Sequence, residues 1–273
     1  MENYNELIEQ HIPVPSEFED VFSHFYFAEN NTGELLTKTL LPSYQTIMVF
    51  NFGANAWLVS KQKTKISIDK CVVLGPIKYA FDYSLPVDSK ILVANFKADG
   101  FYRFFGTASL FDHLPVQPDE LIDENCFTNL WHRLNGMGSV TERISCILEF
   151  CRPYLRSRNA TSELLTNFNN SSLDPIKTVA QKTQQTERNI QLTHKKYLGY
   201  SAKEMNRYQR FLSAIKLIQN NTSGSTKTDW FEVIEQCGYY DQSQLIHDFR
   251  HFINLSPKKF LKFQQDICRP AAE

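Results

Sequence analysis

Toward its C-terminal end the chain carries two short runs of side chains whose hydrogen-bonding groups match the edges of nucleobases. Arg188, Asn189 and Gln191 make the first run, and Ser243, Gln244 and His247 the second. An arginine offers a fork of donors that fits guanine's two major-groove acceptors, and an asparagine or glutamine amide offers the donor and acceptor that fit adenine. Near them stand Thr186, Lys195, Lys196, Arg250 and Lys258, groups that suit phosphate oxygens and add affinity without reading sequence. Any one of these residues alone is as well explained as a solvated surface side chain. The reading therefore depends on the elements that position them.

Those elements repeat. At an offset of 55 residues Thr186 aligns with Asp241, Ile190 with Leu245, Lys195 with Arg250, Tyr197 with Phe252, Leu198 with Ile253, Ser201 with Ser256, Lys203 with Lys258 and Tyr208 with Phe263. Thr186 and Asp241 each carry an oxygen that can accept from a free N–H at a helix start. Gly199 and Asn254 tolerate the left-handed backbone that ends a helix. Two recognition-type helices are thus expected at about 186–198 and 241–253, each preceded by a short amphipathic helix, at 175–182 and 229–236. A short helix, a tight turn and a capped helix make a helix-turn-helix. In the second unit Gly238 can take the positive φ of the turn. Between the units a long helix is expected at 201–219, with Met205, Tyr208, Phe211, Leu212, Ile215 and Ile218 on one face. Counting from each cap, positions two, three, five and six face outward and positions four and eight inward, so His194 is expected inside.

The rest of the chain reads differently. Between 40 and 105 short runs rich in β-branched and aromatic residues (46–52, 57–60, 65–68, 71–74 and 91–96) alternate with Gly, Pro and Asp turn residues, the signature of an antiparallel sandwich or barrel. The aromatic set Tyr79, Phe81, Tyr83, Phe96, Phe101, Tyr102 and Phe105 would fill the core of that domain or line an apolar pocket. After Pro118 the spacing becomes helical, and Val140, Ile144, Ile147, Leu148, Cys151 and Leu155 form an apolar stripe. The stripe would either pack on the sheet or serve as a dimer seam and make the protein a homodimer. Residues 156–172 are polar and rich in Asn and Ser, as in a linker that carries a short helix.

The fold expected is therefore α+β in two domains. Residues 1–165 would form a cupin-like β sandwich or barrel with trailing helices, for sensing and dimerisation, and 166–173 a linker. An all-α domain at 174–268 would hold two helix-turn-helix units joined by the long helix.

Charge follows the same division. Residues 1–170 hold 14 Lys+Arg and 20 Asp+Glu, a balance of −6, and residues 171–273 hold 15 and 10, a balance of +5. The basic end suits a polyanion. The first ten residues are acidic and polar and no stretch has the length of a membrane span, so a soluble, cytoplasmic protein is expected. The six cysteines, at 71, 126, 146, 151, 237 and 268, lack the spacing of a zinc site and read as reduced thiols.

The segment Gly238-Tyr239-Tyr240-Asp241-Gln242-Ser243, with Phe249 and then Leu255-Ser256-Pro257, closely resembles the second helix-turn-helix of AraC-type transcription regulators. Gly199-Tyr200-Ser201, Arg210-Phe211 and Ala214 resemble the end of that family's first unit and its connecting helix. Pro42-Ser43-Tyr44, Leu74-Gly75-Pro76 and the run at 95–100 resemble, more weakly, a sensor domain found on such regulators. The chain departs from the family pattern at Leu192, where Arg is usual, and at His194, Ile234, Leu245 and Asn254. The resemblance implies double-stranded DNA as partner, read in two successive major grooves, with RNA polymerase and a small-molecule effector as further candidate partners and no cofactor.

Two alternatives stand beside this reading. A metal-dependent enzyme built on the β domain would need clustered ligands, but its histidines, His11, His24, His113 and His132, show no H-x-H spacing. An interaction protein whose helical module has drifted from DNA binding would account for Leu192 and His194.

Overall fold

The computed structural model describes residues 6–59, 64–108, 110, 114–122, 124–168, 173–222 and 229–267. The chain forms two compact units, one running to Ala202 and the other starting at Lys203. The first opens with nine strands: β1 Leu7–Ile12, β2 Phe22–Asn30, β3 Leu36–Leu40, β4 Ile47–Gly53, β5 Trp57–Val59, β6 Lys65–Ser67, β7 Cys71–Leu74, β8 Phe81–Leu85 and β9 Ser89–Phe96. Seven helices follow: α1 Gly100–Phe105, α2 Pro118–Ile122, α3 Cys126–Asn135, α4 Val140–Cys151, α5 Ala160–Thr166, α6 Pro175–Thr183 and α7 Glu187–Leu198. Helix α8, Ala202–Thr222, leads into the second unit, which continues with α9 Trp230–Gln236, α10 Gln242–Ile253 and α11 Pro257–Ile267.

The strands make two antiparallel sheets, β1-β2-β9-β4-β7 and β3-β8-β5-β6. Neither closes on itself, so the barrel alternative gives way to a pair of open sheets. The alternation of side chains along a strand explains the layering. In the larger sheet Phe27, Leu92, Phe50 and Cys71 lie opposite one another across four strands, and with Phe25, Met48, Phe52, Val73 and Phe96 they face α1, α3 and α4. The intervening residues Ala28, Ile47, Val49, Val72, Leu74, Ile91 and Val93 face Leu58, Leu85 and the other apolar residues of the smaller sheet. A sheet covered on both faces favours apolar residues on both sides of a strand, which is why β4 reads as a nearly continuous apolar run, Ile-Met-Val-Phe-Asn-Phe, interrupted only by the buried Asn51.

Three strands before β4 and the strand β8 were absent from the sequence reading, and 100–105 is helix α1 rather than strand. Gly100 allows that change. It packs so tightly that a Cβ there would stand 2.4 Å from the Val21 carbonyl oxygen, and the helix it starts sends Phe101, Phe104 and Phe105 into the core. Of the aromatic set, Phe96, Phe101 and Phe105 are core, with the Phe101 and Phe105 rings 4.6 Å apart.

The apolar stripe on α4 is taken up inside the chain. Ile144, Ile147, Leu148 and Cys151 are buried in the core under the larger sheet, with Val140 and Leu155 half-buried at its margin. A dimer seam on this helix would have to use its other face. Arg143 of α4 is also buried, and its guanidinium donates to the Leu134 and Met137 carbonyls at 3.0 and 2.7 Å, closing the open end of α3. The other end of α3 is closed by Asp119, which accepts from the Phe127 and Thr128 amides at 2.7 and 3.0 Å.

Asp99, fully buried at the end of β9, is the point where the β domain takes hold of the following helices. Its carboxylate accepts from Arg158 at 2.8 Å and from the Ser162 hydroxyl at 2.8 Å. Helix α5, which begins two residues after Arg158, then packs Leu165 against Ile176, Val179, Ala180 and Ile190, so it is the short helix expected within the polar stretch. Half of the expected linker, residues 169–172, lies outside the described residues. Cys71, Cys126, Cys146, Cys151 and Cys237 are free thiols, and Cys268 and His113 lie outside the described residues.

Two substitutions test this layering by denaturant unfolding of the full-length protein. Leu148→Ala is expected to remove about 2–5 kcal/mol of stability through the cavity it leaves. Asp99→Ala should remove about 3 kcal/mol, because it takes the buried carboxylate from the Arg158 guanidinium and leaves it only the more distant, half-exposed Asp20 at 4.0 Å.

Candidate nucleic-acid interface

Both expected helix units are present, with their ends where the caps place them. In the first, Asp174 accepts from the Lys177 amide to start α6, and Gln184 turns the chain with φ 55°. Thr186 then accepts from the Asn189 amide at 3.2 Å to start α7. Helix α7 ends at Gly199, φ 79°, where an added Cβ would come within 2.3 Å of the Ala108 carbonyl oxygen. In the second unit Asp229 starts α9, Gly238 has φ 70°, Asp241 accepts from the Gln244 amide at 2.8 Å to start α10, and Asn254 ends it with φ 57°.

The division of each helix into an inner and an outer side follows the count from the cap. Ile190 and His194 of α7 are buried, as are Leu245 and Phe249 of α10. Arg188, Asn189, Gln191, Lys195 and Lys196 are exposed on α7, and Ser243, His247 and Arg250 on α10. Lys258, exposed beside Pro257 in the first turn of α11, completes the basic set.

Several assigned residues carry local duties as well. The Thr186 hydroxyl acts as a helix cap. Asn189 donates its amide to Gln185 at 2.6 Å. Gln244, half-buried, uses its side-chain oxygen to accept from the Tyr240 amide at 2.8 Å, which leaves its NH2 group and one lone pair of that oxygen for a base. Lys196 lies 5.9 Å from the centre of the Tyr102 ring, which itself meets the Tyr197 ring at a tilt, with centroids 4.2 Å apart; it therefore borders the β domain. Leu192, at position six, is 61% exposed among polar neighbours. His194 is interior: its Nδ1 sits 2.8 Å from the Tyr200 carbonyl oxygen.

Two of the residues that hold α10, Asp248 and Arg207, carry no expectation from the sequence. Asp248 lies on the inward side of α10, only 2% exposed at its side chain. Two arginines of α8 reach it, Arg207 Nε to Oδ1 at 2.6 Å and Arg210 Nη2 to Oδ2 at 3.4 Å. Arg210 also lies over the Tyr239 ring at 4.8 Å, and burial pushes the Tyr239 phenol above its ordinary range. Around this pair Tyr208 and Phe211 of α8 pack on Phe249 and Phe252 of α10, with Phe211 and Phe252 4.7 Å apart. The apolar face of α8 centres on Tyr208, Phe211, Ala214 and Ile218, while Met205, Leu212 and Ile215 are half-buried beside it. A signal for Asp248 did exist, since a carboxylate among the inward positions 245, 249 and 252 must find a cation.

Among the described residues no three His, Cys, Asp or Glu side chains cluster as a metal site would require, and no helix is long and apolar enough to cross a membrane.

No protein-family model matches the chain, and no curated protein does. Among solved structures it is similar to ToxT from Vibrio cholerae, at 12% identity over 84% of this chain and 98% of that one, with a TM-score of 0.38. It is also similar to the AraC-like transcriptional activator CuxR, at 8% identity over 96% and 86%, TM-score 0.26. A third similarity, to an RmlC-like cupin protein from Desulfovibrio desulfuricans, covers 33% of this chain and 82% of that one at 13% identity, TM-score 0.27. All three likenesses are remote.

Removing the acceptor at the centre of the second unit should be costly. Asp248→Ala is expected to lower stability by about 3–5 kcal/mol, since it leaves two guanidinium groups facing an apolar gap. Asp248→Asn, whose amide oxygen still accepts, should lose less when thermal unfolding of the two variants is compared.

Proposed function

We propose that the protein is a sequence-specific, DNA-binding transcription regulator of the AraC type, acting in the cytoplasm as a binding protein rather than an enzyme. In this reading α7 and α10 each enter a major groove, and the β domain receives an effector or partner. The observation that carries it is the agreement of two units separated by 55 residues in sequence. Each has a capped helix with positions four and eight buried and an outer side bearing base-matching and basic groups. A solvated basic face would not need the same cap and burial pattern twice.

Arg188, Asn189 and Gln191 are the proposed base readers in the first groove, and Ser243, Gln244 and His247 in the second. Lys195, Lys196, Arg250 and Lys258 are the proposed phosphate partners. The exposed Leu192 supports a second reading, an interaction protein that has lost base recognition on α7.

Selection of binding sites from random duplexes with the full-length protein separates the two. A regulator enriches one sequence and binds it with affinity that falls steeply with salt; an interaction protein enriches none. In the former case Arg188→Ala should relax preference at one or two positions and cost about 1–3 kcal/mol. Lys195→Ala should weaken binding to all sequences alike and reduce the slope of log affinity against log salt by about one.

A further inference from the structure

We propose that His247 reads a guanine as a pure hydrogen-bond donor, and that Arg207 is the positioning residue that restricts it to that role. This rests on the regulator reading above and names the chemistry of one of its contacts.

The Arg207 guanidinium serves two residues of α10. Its Nε donates to Asp248 Oδ1 at 2.6 Å, and its Nη2 lies 2.9 Å from His247 Nδ1. A guanidinium has donors and no acceptor, so in this contact Nδ1 supplies the lone pair. A neutral imidazole has one protonated nitrogen, and here it must be Nε2. The side chain is 73% exposed, at position six after the Asp241 cap and one turn beyond Ser243. On its other side the His251 ring lies nearly parallel, with centroids 6.2 Å apart. The outer edge of His247 therefore offers one N–H donor and nothing that accepts.

The major-groove edges of the bases favour guanine for such a group. Guanine presents N7 and O6, two acceptors with neither a donor nor a methyl beside them. Adenine offers N7 alone, with N6 hydrogens beside it that oppose Nε2–H, cytosine offers only the N4 hydrogens, and thymine sets a methyl beside its O4. Asp248 keeps the arrangement in place: its buried carboxylate holds Arg207, and Arg210 still reaches it at 3.4 Å if Arg207 is changed.

The test uses the full-length protein and its His247→Ala, His247→Gln and Arg207→Met variants in binding-site selection, with imidazole 15N spectra of the DNA-free protein beside it. The wild type should enrich a guanine that His247→Ala no longer selects, with affinity for that site falling about three- to tenfold, the range for one net hydrogen bond. His247→Gln, which adds an acceptor, should admit adenine at the same position. Arg207→Met should blunt the guanine preference there while leaving the other selected positions intact. The spectra should show Nδ1 unprotonated and accepting in the wild type, a signature lost in Arg207→Met.

A wild-type Nδ1 that carries the proton overturns the proposal whatever the variants do. So does an enriched site in which no guanine responds to His247, or in which His247 selects adenine or cytosine; the regulator reading would survive that result. If no duplex is enriched and binding shows no salt dependence, the regulator reading itself falls and this contact falls with it.

Discussion

A carboxylate withdrawn from water is destabilising by several kcal/mol unless cations and N–H or O–H donors replace its hydration, and each compact unit of this chain is organised around one such group. In the first unit Asp99 binds Arg158 and Ser162, across 59 and 63 residues of sequence. In the second Asp248 binds Arg207 and Arg210, across 41 and 38. Apolar packing is indifferent to small sliding movements, because one aliphatic contact resembles the next. A buried ion pair is not, and so these two groups set the register in which the helices meet. Everything proposed about base reading presupposes that register, since a side chain is only useful in a groove if its helix cannot roll.

The two units reach a similar outward arrangement from different interiors. The inner side of α7 is thin: Ile190 meets α5 and α6, and His194 satisfies a carbonyl where a second large apolar group would otherwise sit. The inner side of α10 is aromatic, with Phe249 and Phe252 against Phe211. The first unit gains support from outside the helix pair instead, through Tyr197 on Tyr102 and Tyr200 on Tyr44. Helix α7 is held by the β domain as much as by its own unit.

What could be read from the sequence was what is local. Caps at Thr186 and Asp241, helix ends at Gly199 and Asn254, and the turn at Gly238 each depend on one residue's own conformational limits, and all five stand where their types require. The runs at 46–52, 71–74 and 91–96 were legible because burial on both faces leaves a nearly continuous apolar signal. Strands β1 and β3 were not: each has a face open to water and carries Glu9, Gln10 and His11 or Thr37, Lys38 and Thr39, residues that also occur in loops. Helix α1 was masked by its aromatic content, which serves helix and strand equally. The binding of Asp248 was hidden for another reason, that pairing across some forty residues is decided by the fold and not by any neighbour in the chain.

Helix α5 bears on how the protein can be divided. Leu165 is one wall of the small core formed with Ile176, Val179, Ala180 and Ile190, and Asn159 starts the helix by accepting from the Thr161 and Ser162 amides. A fragment cut just before Asp174 would retain both helices of the first unit yet leave that core open on one side, whereas a cut just before Asn159 keeps the wall and its cap. The polar stretch that looks like the natural place to separate the two halves thus contains part of the structure the C-terminal half needs in order to stand alone.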